Sequence, residues 1–231
     1  MKHFESRELD VKLADPSPGG IGRRSRTGHT CLWLIRHAEV EARYQGLFGG
    51  RVDIGLSPRG HEQAAALAAY LRQKSFHAIY ASPMKRVQQT LGPVIVNCAP
   101  KPVVLADLRE VDMGDWTELR FEELPEKFGV SAEEWLTQLE QAAIPNAESA
   151  ATLRARVEPC LDRIIRDHGG QHVAIFCHGG VIRMLLAILL EVPLSRTGAF
   201  EIDYASITQV LLRPARVRVQ LLNFAPWRDS L

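Results

Sequence analysis

Apolar residues recur along this chain in two kinds of run, short unbroken stretches that read as buried strands and longer stretches with helical spacing. Cys31-Leu32-Trp33-Leu34-Ile35 is the first unbroken stretch and His172-Val173-Ala174-Ile175-Phe176-Cys177 the second, with shorter ones at 78–81 and 103–105. Between them Ala65, Leu67, Ala68 and Leu71 form the apolar stripe of a helix expected over 57–73, with Ser57 as its cap and Pro58 in its first turn. Further helices are expected over 82–97, over 149–168 before Gly169-Gly170, and over 179–190, and further strands at 198–204, 206–212 and 216–222. Residues 118–143 set Phe121, Leu124, Phe128, Trp135, Leu136 and Leu139 among glutamates, the pattern of two short amphipathic helices lying over a core as a cap. Strands alternating with helices predict an α/β fold, a three-layer α/β/α sandwich with a mostly parallel central sheet, helices on both faces and a small helical cap.

At 231 residues and 46% hydrophobic content the chain can bury a full core. One catalytic domain is expected over 30–231, with 118–143 as a cap insertion. A mobile leader is expected over 1–29, where Pro16-Ser17-Pro18-Gly19-Gly20 and Arg23-Arg24-Ser25-Arg26 combine turn formers with charge. A net charge of +1 gives no basic field for nucleic acid, so a local cluster of arginines carries more meaning than the total. Cys31, Cys98, Cys160 and Cys177 show no ligand spacing and read as reduced thiols in a cytoplasmic protein. No run is long enough to cross a bilayer, and Glu5, Glu8 and Asp10 stand where a signal sequence would be apolar. No nucleic-acid or membrane partner is expected, and the oligomeric state is left open, a homodimer included.

In an open α/β sheet the ligand crevice lies outside the carboxyl ends of the strands. Arg36, His37, Ser82, His178 and Gly179 all fall directly after strands. His178 also stands at the mouth of a helix whose first amides are unpaired, and Gly179 and Gly180 would let an anion approach the backbone. Taken singly these residues have plain structural uses. A strand-end histidine is usually a hydrogen-bonded structural group, Arg86 a surface charge, Glu110 half of a salt bridge and Ser82 a helix cap. Glu148 would brace its surroundings or sit as a helix N-terminal charge. Trp33, Trp116 and Trp135 would be core or cap aromatics, Trp135 with a chance of stacking on a substrate ring.

Together they form an ordered set. Arg36-His37-Ala38-Glu39 is followed by Phe48-Gly49-Gly50 to Asp53, then Leu56-Ser57-Pro58-Arg59-Gly60 to Gln63-Ala64, then Ala81-Ser82-Pro83-Met84-Lys85-Arg86 with Gln89-Thr90. Leu108-Arg109-Glu110 with Gly114-Asp115-Trp116, Ala147-Glu148-Ser149 and Cys177-His178-Gly179-Gly180-Val181-Ile182-Arg183 complete it. In this order the pieces resemble the histidine phosphatase superfamily, the fold shared with phosphoglycerate mutases, over most of residues 30–212. The resemblance implies that His37 is the nucleophile and becomes a phosphohistidine. It implies that Arg36 and Arg86 clamp the phosphoryl oxygens, with Gly179 beside them and His178 donating a hydrogen bond where charge builds up. Glu110 would be the general acid and then the base, holding a proton before the first step with help from a phosphate dianion and from Trp116 nearby. No metal or cofactor is required, because the guanidinium groups neutralise the equatorial oxygens.

Three positions depart from the family pattern. Ala38 and Ala147 stand where glycine is usual, and Arg43 stands where an asparagine touches phosphate, so Arg43 would add a charge to the pocket or swing into solvent. Phosphoglycerate mutases carry a longer, more basic insertion between the Glu110 and Glu148 elements, whereas the cations here are Arg120 and Lys127. Hydrolysis is therefore expected, in a branch resembling α-ribazole phosphatases and broad-specificity phosphatases, on a small metabolite such as α-ribazole 5'-phosphate or a sugar phosphate. A cofactor-dependent phosphoglycerate mutase is the alternative, and a non-catalytic phosphoryl-binding module is the alternative of another class.

Overall fold

Among the described residues seven strands make one sheet in the order β1-β7-β6-β2-β5-β3-β4. They are β1 (Val11–Lys12), β2 (Thr30–Arg36), β3 (Ala78–Ala81), β4 (Val103–Val104), β5 (His172–Cys177), β6 (Ile207–Arg213) and β7 (Arg216–Phe224). The computed structural model describes residues 11–12, 29–96 and 100–229. Strands β2, β5, β3 and β4 run parallel, and β6, β7 and β1 continue the sheet by antiparallel pairing. The sheet is therefore mixed where a mostly parallel one was expected, because β6 and β7 are joined by a tight turn that cannot connect parallel neighbours. Most of the leader expected over 1–29 lies outside the described residues, but Val11–Lys12 pairs with Arg216 and Val217 at the sheet edge.

The helices are α1 (Pro58–Leu71), α2 (Lys85–Ile95), α3 (Leu124–Phe128), α4 (Trp135–Glu140), α5 (Ala150–Asp167), α6 (Gly179–Leu190) and α7 (Pro226–Asp229). Strand side chains alternate between faces, so Leu32 and Leu34 of β2 join one core with residues of α5 and α6, while Cys31, Trp33 and Ile35 join another with residues of α1 and α2. That two-sided burial is why β2 and β5 are unbroken apolar runs, and it confirms the three-layer architecture. Leu124, Leu136 and Leu139 anchor the cap helices α3 and α4 to the α5/α6 core, as the pattern over 118–143 predicts.

Two expectations change. Residues 198–204 are not a strand: Leu194–Ala199 is a 3-10 turn and the segment after it is irregular. Its backbone is satisfied by distant side chains, with Phe200 O accepting from Arg183, Ile202 O from Arg36, Tyr204 O from Trp227, and Asp203 N donating to Asn223. Helix α2 starts at Lys85, after Ser82-Pro83, and its first amide donates to Asp53 at 2.8 Å.

Candidate active site

Parallel pairing of β2 with β5 sets Arg36 opposite Cys177, so both strands end level and deliver His37 and His178 side by side, ring centroids 5.2 Å apart. His37 is buried and its Nδ1–H donates to Ala38 O at 2.8 Å. This fixes the tautomer that leaves a lone pair on Nε2, which makes no hydrogen bond among the described residues, and the ring lines a cavity of about 350 Å³. Burial, then the charges of Arg86 and Arg36, hold the His37 pKa well below the usual histidine value, so the imidazole is neutral. A neutral imidazole with one nitrogen tied and the other facing a cavity is a nucleophile ready for use.

Two arginines flank it. Arg36 donates from Nη1 to Ile202 O at 2.5 Å, and its guanidinium lies 4.2 Å from the ring centroid of Tyr204. Arg86 is buried and donates to Gly50 O and Val52 O at 2.9 and 2.8 Å, which ties the glycine-rich loop 46–55 to α2. Its Nε donates to His178 Nδ1 at 3.2 Å. The other ring nitrogen of His178 then carries the proton and donates to Ser82 Oγ at 2.8 Å. Burial, followed by Arg86, His37 and Arg36, keeps the His178 pKa well below the usual value.

Both nitrogens of His178 are thus engaged by protein. The fully buried ring of His178 braces Arg86 and packs against His37. Ser82, expected as a helix cap, accepts from Met84 N at 3.4 Å just before α2 as well as bonding His178.

Glu110 lines the cavity, with Oε1 accepting from Val111 N at 2.9 Å and Oε2 from Gly180 N at 3.3 Å. A Cβ on Gly180 would lie 2.6 Å from Glu110 Oε1, so a glycine is needed there for the carboxylate to reach the mouth of α6. Arg156 of α5 holds the same loop by donating to the carbonyls of Asp107, Arg109 and Glu110. Arg156 is itself paired with both oxygens of buried Glu148, which also accepts from Asp112 N. Glu148 is the brace expected of it. Trp116 is the core aromatic expected, buried and packed on Phe48 and Phe128.

Arg36, His37, Arg86, Glu110 and Gly179 line one cavity together. Arg43 does not join them. The short turn Ala42–Tyr44 points it outward, 72% exposed, against Glu41 and over the Tyr44 ring. Ala38 needs no glycine, since its φ is outside the left-handed region, and its amide donates to Thr90 Oγ1 at 2.9 Å. The Glu39, Ser57, Gly60 and Gln63 pieces are the bracket of this loop: Ser57 Oγ donates to Glu39 and caps Gly60 N, and Gln63 accepts from Glu39 N.

Tyr204 is the residue that pattern reading missed. Its ring lies 5.7 Å from that of His37 and under Arg36, yet a lone tyrosine in a strand-like run gives no signal in sequence. Among the described residues no cluster of His, Cys, Asp and Glu is arranged for a metal, and no helix is long and apolar enough to cross a membrane.

Comparison with known proteins gives one consistent result. The family model of the histidine phosphatase superfamily (branch 1) matches residues 32–225. The adenosylcobalamin/alpha-ribazole phosphatase of Salmonella typhimurium is 28% identical over 200 residues, covering 86% of this chain and 99% of that protein. Phosphoserine phosphatase 1 of Hydrogenobacter thermophilus is 32% identical over 193 residues, covering 83% and 91%. The crystal structure of the alpha-ribazole phosphatase from Shigella flexneri superposes with a TM-score of 0.73 at 27% identity, covering 84% of this chain and 96% of that one.

Proposed function

Since the chain belongs to the histidine phosphatase superfamily (branch 1), we propose that it hydrolyses the monoester of a small phosphorylated metabolite through a phosphohistidine on His37. The observation that carries this reading is the neutral His37, tied at Nδ1 and facing a cavity shared with Arg36, Arg86 and Glu110. In the first step Nε2 attacks phosphorus, the bond to the leaving oxygen breaks, and Glu110 gives that oxygen its proton. Ala38 O, accepting from Nδ1–H, supports the positive charge that grows on the ring. In the second step water attacks phosphorus and passes a proton to Glu110, the P–N bond breaks, and phosphate leaves a neutral His37. The guanidinium groups of Arg36 and Arg86 carry the charge of the transferring phosphoryl group.

Hydrolysis is favoured over a mutase reaction because a phosphorylated acid needs cations on the leaving-group side. Neither cap cation lines the cavity, and Lys127 is paired with Glu123. The names of the relatives support α-ribazole 5'-phosphate as one substrate to test, beside sugar phosphates. Free, buried Cys31, Cys160 and Cys177 support a cytoplasmic setting.

The test is turnover of p-nitrophenyl phosphate in EDTA, with rapid-quench trapping of an acid-labile, alkali-stable phosphoenzyme. Turnover is expected to survive EDTA, and His37→Ala to lose both phosphoenzyme and at least about a thousandfold in rate. Wild-type rates in His37→Ala overturn the nucleophile. Phosphate binding without turnover indicates a binding module, and phosphoglycerate isomerisation stimulated by 2,3-bisphosphoglycerate indicates a mutase.

A further inference from the structure

The phosphate end accounts for only part of the cavity. Beyond Glu110 its wall is built from Leu47, Phe48, Met113, Phe121 and Trp135. Phe48 is the hub, with ring centroids 4.9 Å from Phe121 and 6.4 Å from Trp135. Phe121 and Trp135 come from the cap and Phe48 from the glycine-rich loop, and the two segments are joined by a bridge between Leu47 and Arg120. Phe121 remains 42% exposed, unlike the buried leucines that anchor the cap. An aromatic side chain left this open in a cavity wall is apolar area that a ligand could cover.

The charges of the cavity are already assigned. Arg36 and Arg86 face the phosphoryl group, and the Glu110 carboxylate receives two backbone amides while serving the leaving oxygen. Arg183, the remaining cation of the lining, donates from Nη1 to Thr197 O and Phe200 O, both at 2.6 Å. An amino-acid ester would need a carboxylate for its ammonium group, and among the described residues Glu110 is the only carboxylate in the lining. A polyol would bring several hydroxyls to a wall of rings and aliphatic chains, where unpaired hydroxyls are penalised.

Resting on the phosphatase reading above, we propose that this site selects monoesters whose leaving group carries an aromatic ring, seated against Phe48, Phe121 and Trp135, over those of amino acids and polyols. The test compares kcat/KM for 2-phenylethyl phosphate, ethyl phosphate, O-phosphoserine and ribose 5-phosphate. All four are esters of aliphatic alcohols, and the phenylethyl and ethyl pair differ chiefly in what the leaving group offers the wall. The phenylethyl ester is expected to exceed each of the others by about tenfold or more. Phe121→Ala, and separately Trp135→Ala, should bring the phenylethyl-to-ethyl ratio down several-fold. Ethyl phosphate turned over as well as the phenylethyl ester, or preference for O-phosphoserine or ribose 5-phosphate, overturns the aromatic selectivity and leaves hydrolysis standing. No turnover of any ester, with no phosphoenzyme, overturns the hydrolytic reading and this inference together.

Discussion

Glu110 has its position defined from three sides: by its own neighbour's amide, by Gly180 N at the mouth of α6, and by Arg156 on its backbone carbonyl. In Glu110→Gln the Val111 amide can still donate to the glutamine oxygen and only the longer bond from Gly180 N is lost, so the variant should keep the fold while removing the proton that the leaving group needs. An alkyl alkoxide is a poor leaving group and depends on that proton, whereas p-nitrophenolate departs with little help. The variant is expected to lose about a hundredfold or more in kcat on an alkyl phosphate and far less in the first step on p-nitrophenyl phosphate, measured as phosphoenzyme burst rate. Equal losses on both would remove Glu110 from the acid role. The contrast with Arg43 shows what a side chain's type alone cannot decide. An arginine at a position where the family pattern touches phosphate is, in the fold, bonded to Glu41 and turned to solvent.

At the scale of elements, α5 positions chemistry that it does not itself perform. Arg156 joins Glu148 to the carbonyls of Asp107, Arg109 and Glu110, so one guanidinium sets where the acid-bearing loop stands. Arg156→Met removes that fork and leaves buried Glu148 with Asp112 N and a 3.5 Å ion pair to Arg51. A cost of about 3–5 kcal/mol in urea unfolding is expected, with kcat on alkyl phosphates falling more than KM rises. Unchanged kcat would show that the loop holds its place without α5. The strands β2 and β5 were legible because burial on both faces leaves an unbroken apolar run, and the cap because its leucines keep helical spacing. The segment 198–204 was not, since its backbone partners are the side chains of Arg36, Arg183, Asn223 and Trp227, far away in sequence. Nor was the start of α2, because the Ser82 hydroxyl is shared between Met84 N and His178 while the first helical amide, Lys85 N, donates to Asp53. The bracing of His178 was hidden for the same reason: the ordered motifs bring the right residues together, but which partner each nitrogen takes is decided only by packing.

For the whole molecule, burying two uncharged imidazoles at the centre of the sheet makes stability depend on pH. His37 and His178 both have pKa values driven well below the ordinary one, first by burial and then by the charges of neighbouring arginines. An unfolded histidine titrates near about 6.5. Below that pH the unfolded chain takes up protons that the folded chain refuses, so the contribution of these residues is complete above about pH 6.5 and is lost as the pH falls. Each histidine can cost up to about 1.4 kcal/mol per pH unit over this window. In phosphate-free buffer the unfolding free energy from urea titration is therefore expected to be about 2–3 kcal/mol lower at pH 5.5 than at pH 7.5. His37→Gln, which cannot titrate, should remove about half of that difference. A wild-type stability that stays level between these pH values would mean that the folded protein accepts the protons after all. His37 would then be an imidazolium at pH 5.5, with a lone pair to give only above about pH 6.5, and phosphoenzyme formation would fall with acid along that same titration.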